Sequence, residues 1–309
     1  MAVPFLSIVI PTYNRRDALV ELINSIFTQD AFDETIEIVV SDNCSTDGTC
    51  EAIKALSTMR LKYIRRERNM GADDNFLCAI EDASGIYVKL HNDNKPFMPG
   101  ALRQILEELN NNSPSILLTT NGARYLHTRA VARTMDELVE IVSYNCTWLS
   151  AICFLKSVWL SIKDKNEGKS TFLIQTYFLF RMMEFAPFAI LNNRKLFSDI
   201  IPVEPKGGYN LFMVFGKNYL DLLWLEVDGK QLSHKSFYRE KNRVLFRYIL
   251  PMQLRIERNP HQFVTDLRDS TKFLAKHYAA IYRLLYEIMY FLKKAIYLMK
   301  KHVSVDMKR

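Results

Sequence analysis

The chain has 309 residues, 49% of them hydrophobic and 24% charged, so it can bury a sizeable core and is not disordered. Its five cysteines (Cys44, Cys50, Cys78, Cys146, Cys153) form no CxxC pair and have no histidine at ligand spacing, which excludes a zinc module and a disulfide framework and reads as reduced thiols. The formal charge of +7 admits nucleic acid, acidic lipid or a phosphorylated substrate, but basic residues are densest after Lys235, while the first 120 residues are mixed in sign.

The opening MAVPFLSIVIPTYNRR enters a strand pattern without the basic-then-apolar order of a signal peptide. No stretch reaches about 18 uncharged apolar residues, so the expectation is a cytoplasmic chain with no spanning helix. Residues 5–10 (FLSIVI) and 36–40 (IEIVV) are short β-branched runs, and between them residues 17–28 carry helical spacing through Leu19, Leu22, Ile23 and Ile26. The alternation continues with helix over 49–56, strand over 61–64, helix over 73–82, strand over 86–90, helix over 100–109 and strand over 115–119. This pattern predicts an α/β fold, a mixed, mainly parallel sheet flanked by helices. Ligands bind such sheets at the carboxyl ends of the strands, where the polar clusters 11–14, 41–47, 65–75 and 91–94 would converge.

From about residue 123 to 205 the pattern is less regular, with apolar segments 148–155 and 172–185 around the polar loop 163–170. Trp148 and Tyr144 read first as core aromatics and second as sugar-stacking rings. His91, His127 and His234 have no partner at metal spacing and read as structural. The KGGY turn at 206–209 reads as a hairpin or connector, with a loop closing over a ligand as the alternative. Over 270–302 apolar residues recur at three- and four-residue steps, which predicts one or two amphipathic helices with lysines on the polar face.

At the strand ends the residues become specific: SIVIPTYNRRDAL, EIVVSDNCSTDGT, RNMGADDNF and LHNDNKPFMPGAL, in that order. Together they resemble the family 2 glycosyltransferases of the nucleotide-diphospho-sugar transferase A-type fold, and the branch that builds bacterial surface polysaccharides. The resemblance covers about residues 4–120. It implies displacement of a nucleoside diphosphate from an activated sugar by an acceptor hydroxyl, with inversion, UDP-sugars being the default donor. By the same resemblance Pro11, Thr12, Tyr13 and Asn14 form a loop around the base and Asp42 accepts a hydrogen bond from it. Asn69 and Gly71 approach the nucleoside, Asn92 is counted with them among the donor-binding residues, and Asp93 stands beside the diphosphate and its Mn²⁺ or Mg²⁺.

Two departures stand out. The position of the second metal carboxylate holds Lys95, so either Asp93 and Asn94 hold a divalent ion with the phosphates, or Lys95 supplies part of its charge. Where the family supplies a catalytic acid, this chain has Gln175, leaving Asp164, Glu167, Glu184 and Asp199 as nearby acids and no assigned base. The expected organisation is a donor domain over 1–120, an acceptor region over 121–235 and a basic amphipathic tail over 236–309. The expected partners are a glycan or lipid-linked acceptor, the anionic inner face of the cytoplasmic membrane and a second copy of the chain, not nucleic acid. The alternatives are a degenerate donor-binding scaffold, or a nucleotidyltransferase, for which PTYNRR lacks the glycine-rich loop.

Overall fold

The computed structural model describes residues 3–56, 60–200 and 206–306. The chain divides into two compact units, residues 1–202 and 203–309.

The first unit is built on an eight-stranded sheet in the order β3-β2-β1-β4-β7-β5-β8-β6. Strands β1 (Leu6–Thr12), β2 (Ile36–Asp42), β3 (Leu61–Arg65) and β4 (Tyr87–Leu90) alternate with α1 (Arg16–Phe27), α2 (Thr49–Ala55) and α3 (Ala72–Asp82), as the hydrophobic periodicity predicts. These four strands pair in parallel, and β1 and β4 are buried along their whole length, the burial that helices on both faces impose. Leu19, Leu22, Ile23 and Ile26 put one stripe of α1 on the sheet, and all four are fully buried. Each contributes about 1.5–3 kcal/mol by leaving water. Ile53 of α2 and Leu102, Ile105 and Leu109 of α4 (Ala101–Asn112) join the same cluster, with Leu6, Ile8, Ile10, Ile36, Ile38 and Val40 beneath them. Helix α3 packs on β1 and β2.

The sheet does not stop at residue 120. After β5 (Ile116–Thr119) come β6 (Arg129–Ala132), α5 (Met135–Val142), β7 (Ile152–Leu155), α6 (Lys156–Leu160), α7 (Ile174–Met182) and β8 (Ala189–Asn192). Strand β7 enters antiparallel between β4 and β5, pairing Cys153 with both Lys89 and Leu117. Six strands therefore run one way, and β6 and β7 run the other.

In the second unit, the KGGY segment is neither a hairpin turn nor a loop. It belongs to strand β9 (Lys206–Asn210), which pairs in parallel with β10 (Phe263–Asp266). Helices α8 (Tyr219–Asp228), α9 (His234–Arg243), α10 (Leu250–Arg258), α11 (Ser270–Leu274) and α12 (Ala280–Asp306) make up the rest. Wide π-type turns over 212–218 and 244–249 lead into α8 and α10. Leu220, Leu223, Phe237, Leu245, Ile249, Leu250 and Tyr278 are buried, so residues 236–309 belong to a compact unit with its own core rather than to a tail.

Candidate functional site

Strands β2, β1 and β4 are neighbours, so their carboxyl ends present adjacent loops. Register pairs Thr12 with Asp42 across β1 and β2 and Val9 with Leu90 across β1 and β4, and the His91 amide donates to the Val9 carbonyl. The loop after β4 therefore turns back along the end of β1. There Thr12 Oγ1 donates to Asp93 Oδ2 at 3.0 Å, both side chains being buried. Arg15 Nε lies 3.9 Å from the same oxygen. Arg15 was not singled out by sequence, although it stands in the PTYNRR run that supplied its neighbours.

Asp42 is fully buried. Its Oδ1 accepts the Ser45 amide at 2.9 Å, and its Oδ2 accepts the Tyr63 hydroxyl at 2.5 Å with Arg65 Nε at 4.0 Å. Burial, followed by the bond to Asp42, pushes the Tyr63 phenol well above its ordinary range. Asp42 thus organises the loop after β2, and a nucleobase would meet a carboxylate that already has protein partners. Asn14, at φ +52°, ties the first loop to the second: its amide donates to Ser45 Oγ at 2.8 Å, and its Oδ1 accepts the Thr46 amide at 2.8 Å. Pro11 is buried within β1, and the Tyr13 ring stands at the surface.

Asn69 and Gly71 are held by a residue that sequence reasoning missed. Asn43 Nδ2 donates to Asn69 Oδ1 at 2.9 Å and to the Gly71 carbonyl at 3.1 Å, and Asn43 Oδ1 accepts the Met70 amide at 2.9 Å. Gly71 has φ +88°, and a Cβ there would meet nothing within 4 Å. Its role within the protein is therefore the left-handed backbone before α3, not a close contact.

Asn92 faces Ser150: its amide donates to Ser150 Oγ at 2.9 Å, and its Oδ1 accepts that hydroxyl at 2.7 Å. Ser150 also anchors Lys89, a fully buried lysine on β4 whose Nζ donates to the Ser150 and Leu90 carbonyls. Burial pulls the Lys89 ammonium down to about 7. His91 is structural, as expected. It is buried against Phe97 and Phe197, its Nε2 meets the Lys95 carbonyl at 2.7 Å, and burial holds its pKa well below the usual range. The Lys95 ammonium forms an ion pair with Asp199.

Among the described residues no group of three His, Cys, Asp or Glu side chains is placed to hold a metal ion. At the end of β4 the acidic donor is Asp93, with Arg15 beside it. That set fits a divalent ion only where phosphate oxygens complete the coordination, the arrangement Mg²⁺ adopts with one or two carboxylates.

The acids near α7 have local partners. Asp164 Oδ1 accepts the Asn166 and Glu167 amides, Glu167 accepts the Tyr177 hydroxyl at 3.1 Å, and Glu184 pairs with Arg181 at 2.9 Å. Gln175 is buried, with Nε2 donating to the Thr147 carbonyl at 2.7 Å. Trp148 is half-buried, edge-on to Phe197. The loop before α7 is tied to the start of α3, where the Ser170 amide donates to Asp73 and Lys169 pairs with Asp74.

The family model described as Glycosyl transferase family 2 matches residues 7–188. Abequosyltransferase RfbV of Salmonella typhimurium is 46% identical over 85 residues, 26% of this chain and 26% of the relative. GalNAc(5)-diNAcBac-PP-undecaprenol beta-1,3-glucosyltransferase of Campylobacter jejuni is 34% identical over 110 residues, 35% of each chain. The matched segments thus span about a third or less of these relatives. Among solved structures, S. aureus TarS 1-349 in complex with UDP-GlcNAc superposes with a TM-score of 0.59 at 18% identity, covering 84% of this chain and 78% of that one. Mannosyltransferase PcManGT from Pyrobaculum calidifontis, in complex with GDP-Man and Mn²⁺, gives 0.58 at 15% identity, covering 95% and 86%. At these identities what is shared is the fold.

Proposed function

The chain belongs to glycosyl transferase family 2, and from that premise we propose that it transfers a sugar from a nucleoside-diphosphate sugar to an acceptor hydroxyl in surface-polysaccharide assembly. One observation carries the reading: the Thr12–Asp93 hydrogen bond joins the ends of β1 and β4, beside the loop that Asp42 organises after β2. In this reading the base lies against the 11–14 loop and the Asn43-held turn at 69–71, with Asp42 near its edge. The diphosphate lies toward Asp93, with Arg15 and Lys95 contributing positive charge. The acceptor oxygen forms its bond to the anomeric carbon as the bond to the diphosphate breaks, and the hydroxyl proton leaves to a base that no residue here is assigned to supply.

Asp93 would hold Mg²⁺ or Mn²⁺ together with the phosphates. Such an ion, when bound, offsets the charge that develops on the leaving diphosphate. Arg15, Lys95 and the loop amides act on the same charge. The names of UDP-GlcNAc and GDP-Man in the TarS and PcManGT complexes support a nucleotide-sugar donor, a UDP-sugar being the default by family resemblance. The undecaprenol in the Campylobacter relative's name supports a lipid-linked glycan acceptor. Residues 1–120 would serve the donor, and the part of the first unit that follows them the acceptor.

The test is a panel of nucleotide-sugars, with and without Mn²⁺ and EDTA, read as nucleoside diphosphate released. The reading predicts release from one nucleotide class and loss of release in Asp93→Ala. Nucleotide binding without release or transfer would instead indicate a donor-binding scaffold, and no binding of any donor would reject the site.

A further inference from the structure

Helix α12 runs 27 residues, about 40 Å. It has two distinct faces. One is packed within its own unit: Tyr286 and Tyr290 are buried, Tyr286 donates to Gln253, and Tyr290 meets both Glu257 oxygens at 2.8 and 2.9 Å. Lys294 bonds Glu257 at 3.0 Å, and the Arg258 guanidinium lies 3.7 Å from the Tyr297 ring centre. The other face is apolar and open, with Ile281, Leu284, Ile288, Phe291, Leu292 and Met299 each 47–62% exposed. At about 100° per residue the centres of the two faces lie on opposite sides of the helix. The apolar stripe is therefore not what fastens α12 to its unit; the tyrosines do that.

We propose that α12 is an interfacial anchor that seats this outward stripe in an anionic lipid bilayer. Charge selects the occupant. From Ser270 to the C-terminus the sequence carries nine Lys or Arg against two acids, Glu287 and Asp306. A second copy laid on the stripe would bring this positive segment against itself, whereas an acidic lipid surface meets it with the opposite sign. An interfacial helix combines buried apolar area with attraction to anionic headgroups, and the open stripe and the basic segment that carries it supply the two. No helix among the described residues is long and apolar enough to cross a membrane, so α12 lies along the surface. The proposal does not rest on sugar transfer, because lipid binding and nucleotide binding are read separately.

The experiment is co-sedimentation of the full chain with phosphatidylcholine vesicles, with or without phosphatidylglycerol. The anchor predicts binding only where phosphatidylglycerol is present, and release near 1 M salt, where the screening length falls to about 3 Å. The double variant Ile288→Glu/Leu292→Glu should bind at least about a hundredfold more weakly, having lost two inserted side chains, with its melting curve and nucleotide binding unchanged. Lys293→Gln should bind about fivefold more weakly. Equal binding to neutral vesicles, no vesicle binding, or undiminished binding of the double variant would overturn the proposal. So would a dimer that the double variant splits, which would assign the stripe to a second copy.

Discussion

Replacing Asp93 with alanine separates the catalytic from the structural account of the β4 loop. The carboxylate is buried, accepts Thr12 Oγ1 at 3.0 Å and faces Arg15 at 3.9 Å. Losing a charged acceptor costs about 1.5–3 kcal/mol. The Arg15 side chain is 34% exposed and rehydrates, so the lost ion pair adds at most about 1 kcal/mol. A domain stable by about 5–15 kcal/mol stays folded after such a loss. Transfer should suffer more, because removing a preorganised group that acts on developing charge lowers kcat by about 10²–10³. Asp93→Asn sharpens the comparison: an amide oxygen still accepts from Thr12, so stability should recover while the rate does not. Both variants are measured by nucleoside diphosphate release and by chemical denaturation. Turnover of Asp93→Asn within about threefold of the parent would refute a charge-based role for this residue.

Three further outcomes follow from named contacts. Folded Lys89 titrates near 7 and unfolded lysine near about 10.4, so the unfolded chain holds more protons between these values and this group makes stability rise with pH across that window. Lys89→Met should flatten that rise, by up to about 1.4 kcal/mol per pH unit, in urea titrations between about pH 7 and 8.5; parallel profiles would place the lysine in water. Gly71→Ala should cost about 1–3 kcal/mol from backbone strain alone, since a Cβ meets no neighbour, and an unchanged denaturation midpoint would mean the turn adopts another conformation. In the second unit burial raises the Asp221 carboxyl, but His277, Lys276 and Lys217 outweigh it and hold its pKa low. Its contribution is present above about pH 4 and lost as pH falls, so Asp221→Asn should lower stability at neutral pH and narrow the gap in acid, as thermal unfolding at both pH values would record.

The β1-to-α4 alternation was legible because its runs are periodic and bounded by turn residues, and Leu19, Leu22, Ile23 and Ile26 are buried as that period requires. Strand β7 was not, because four residues preceded by short 3-10 turns carry no period that reveals an antiparallel insertion. The second unit hid for a related reason: π-type turns at 212–218 and 244–249 slip the helical phase and blur the stripes of α8 and α10. The resemblance singles out Asp42, Asn69 and Asp93 as candidates, but nothing in the sequence singles out Asn43 and Ser150. Their roles come from partners 26–28 and 58 positions away in sequence, which only the folded sheet brings together. Lys95 stands out in the sequence by its place in the motif, but its ion pair with Asp199, 104 positions away, comes only from the fold.

The central claim is that the loops after β1, β2 and β4, together with the turn at 69–71, form one nucleotide site. A crystal structure of the chain grown with a nucleoside diphosphate tests it directly. The account predicts the base against residues 11–14 and the Asn43-held turn, with the diphosphate within reach of Asp93 and Arg15. A nucleotide bound away from these loops, in a site that excludes Asp93, would contradict it.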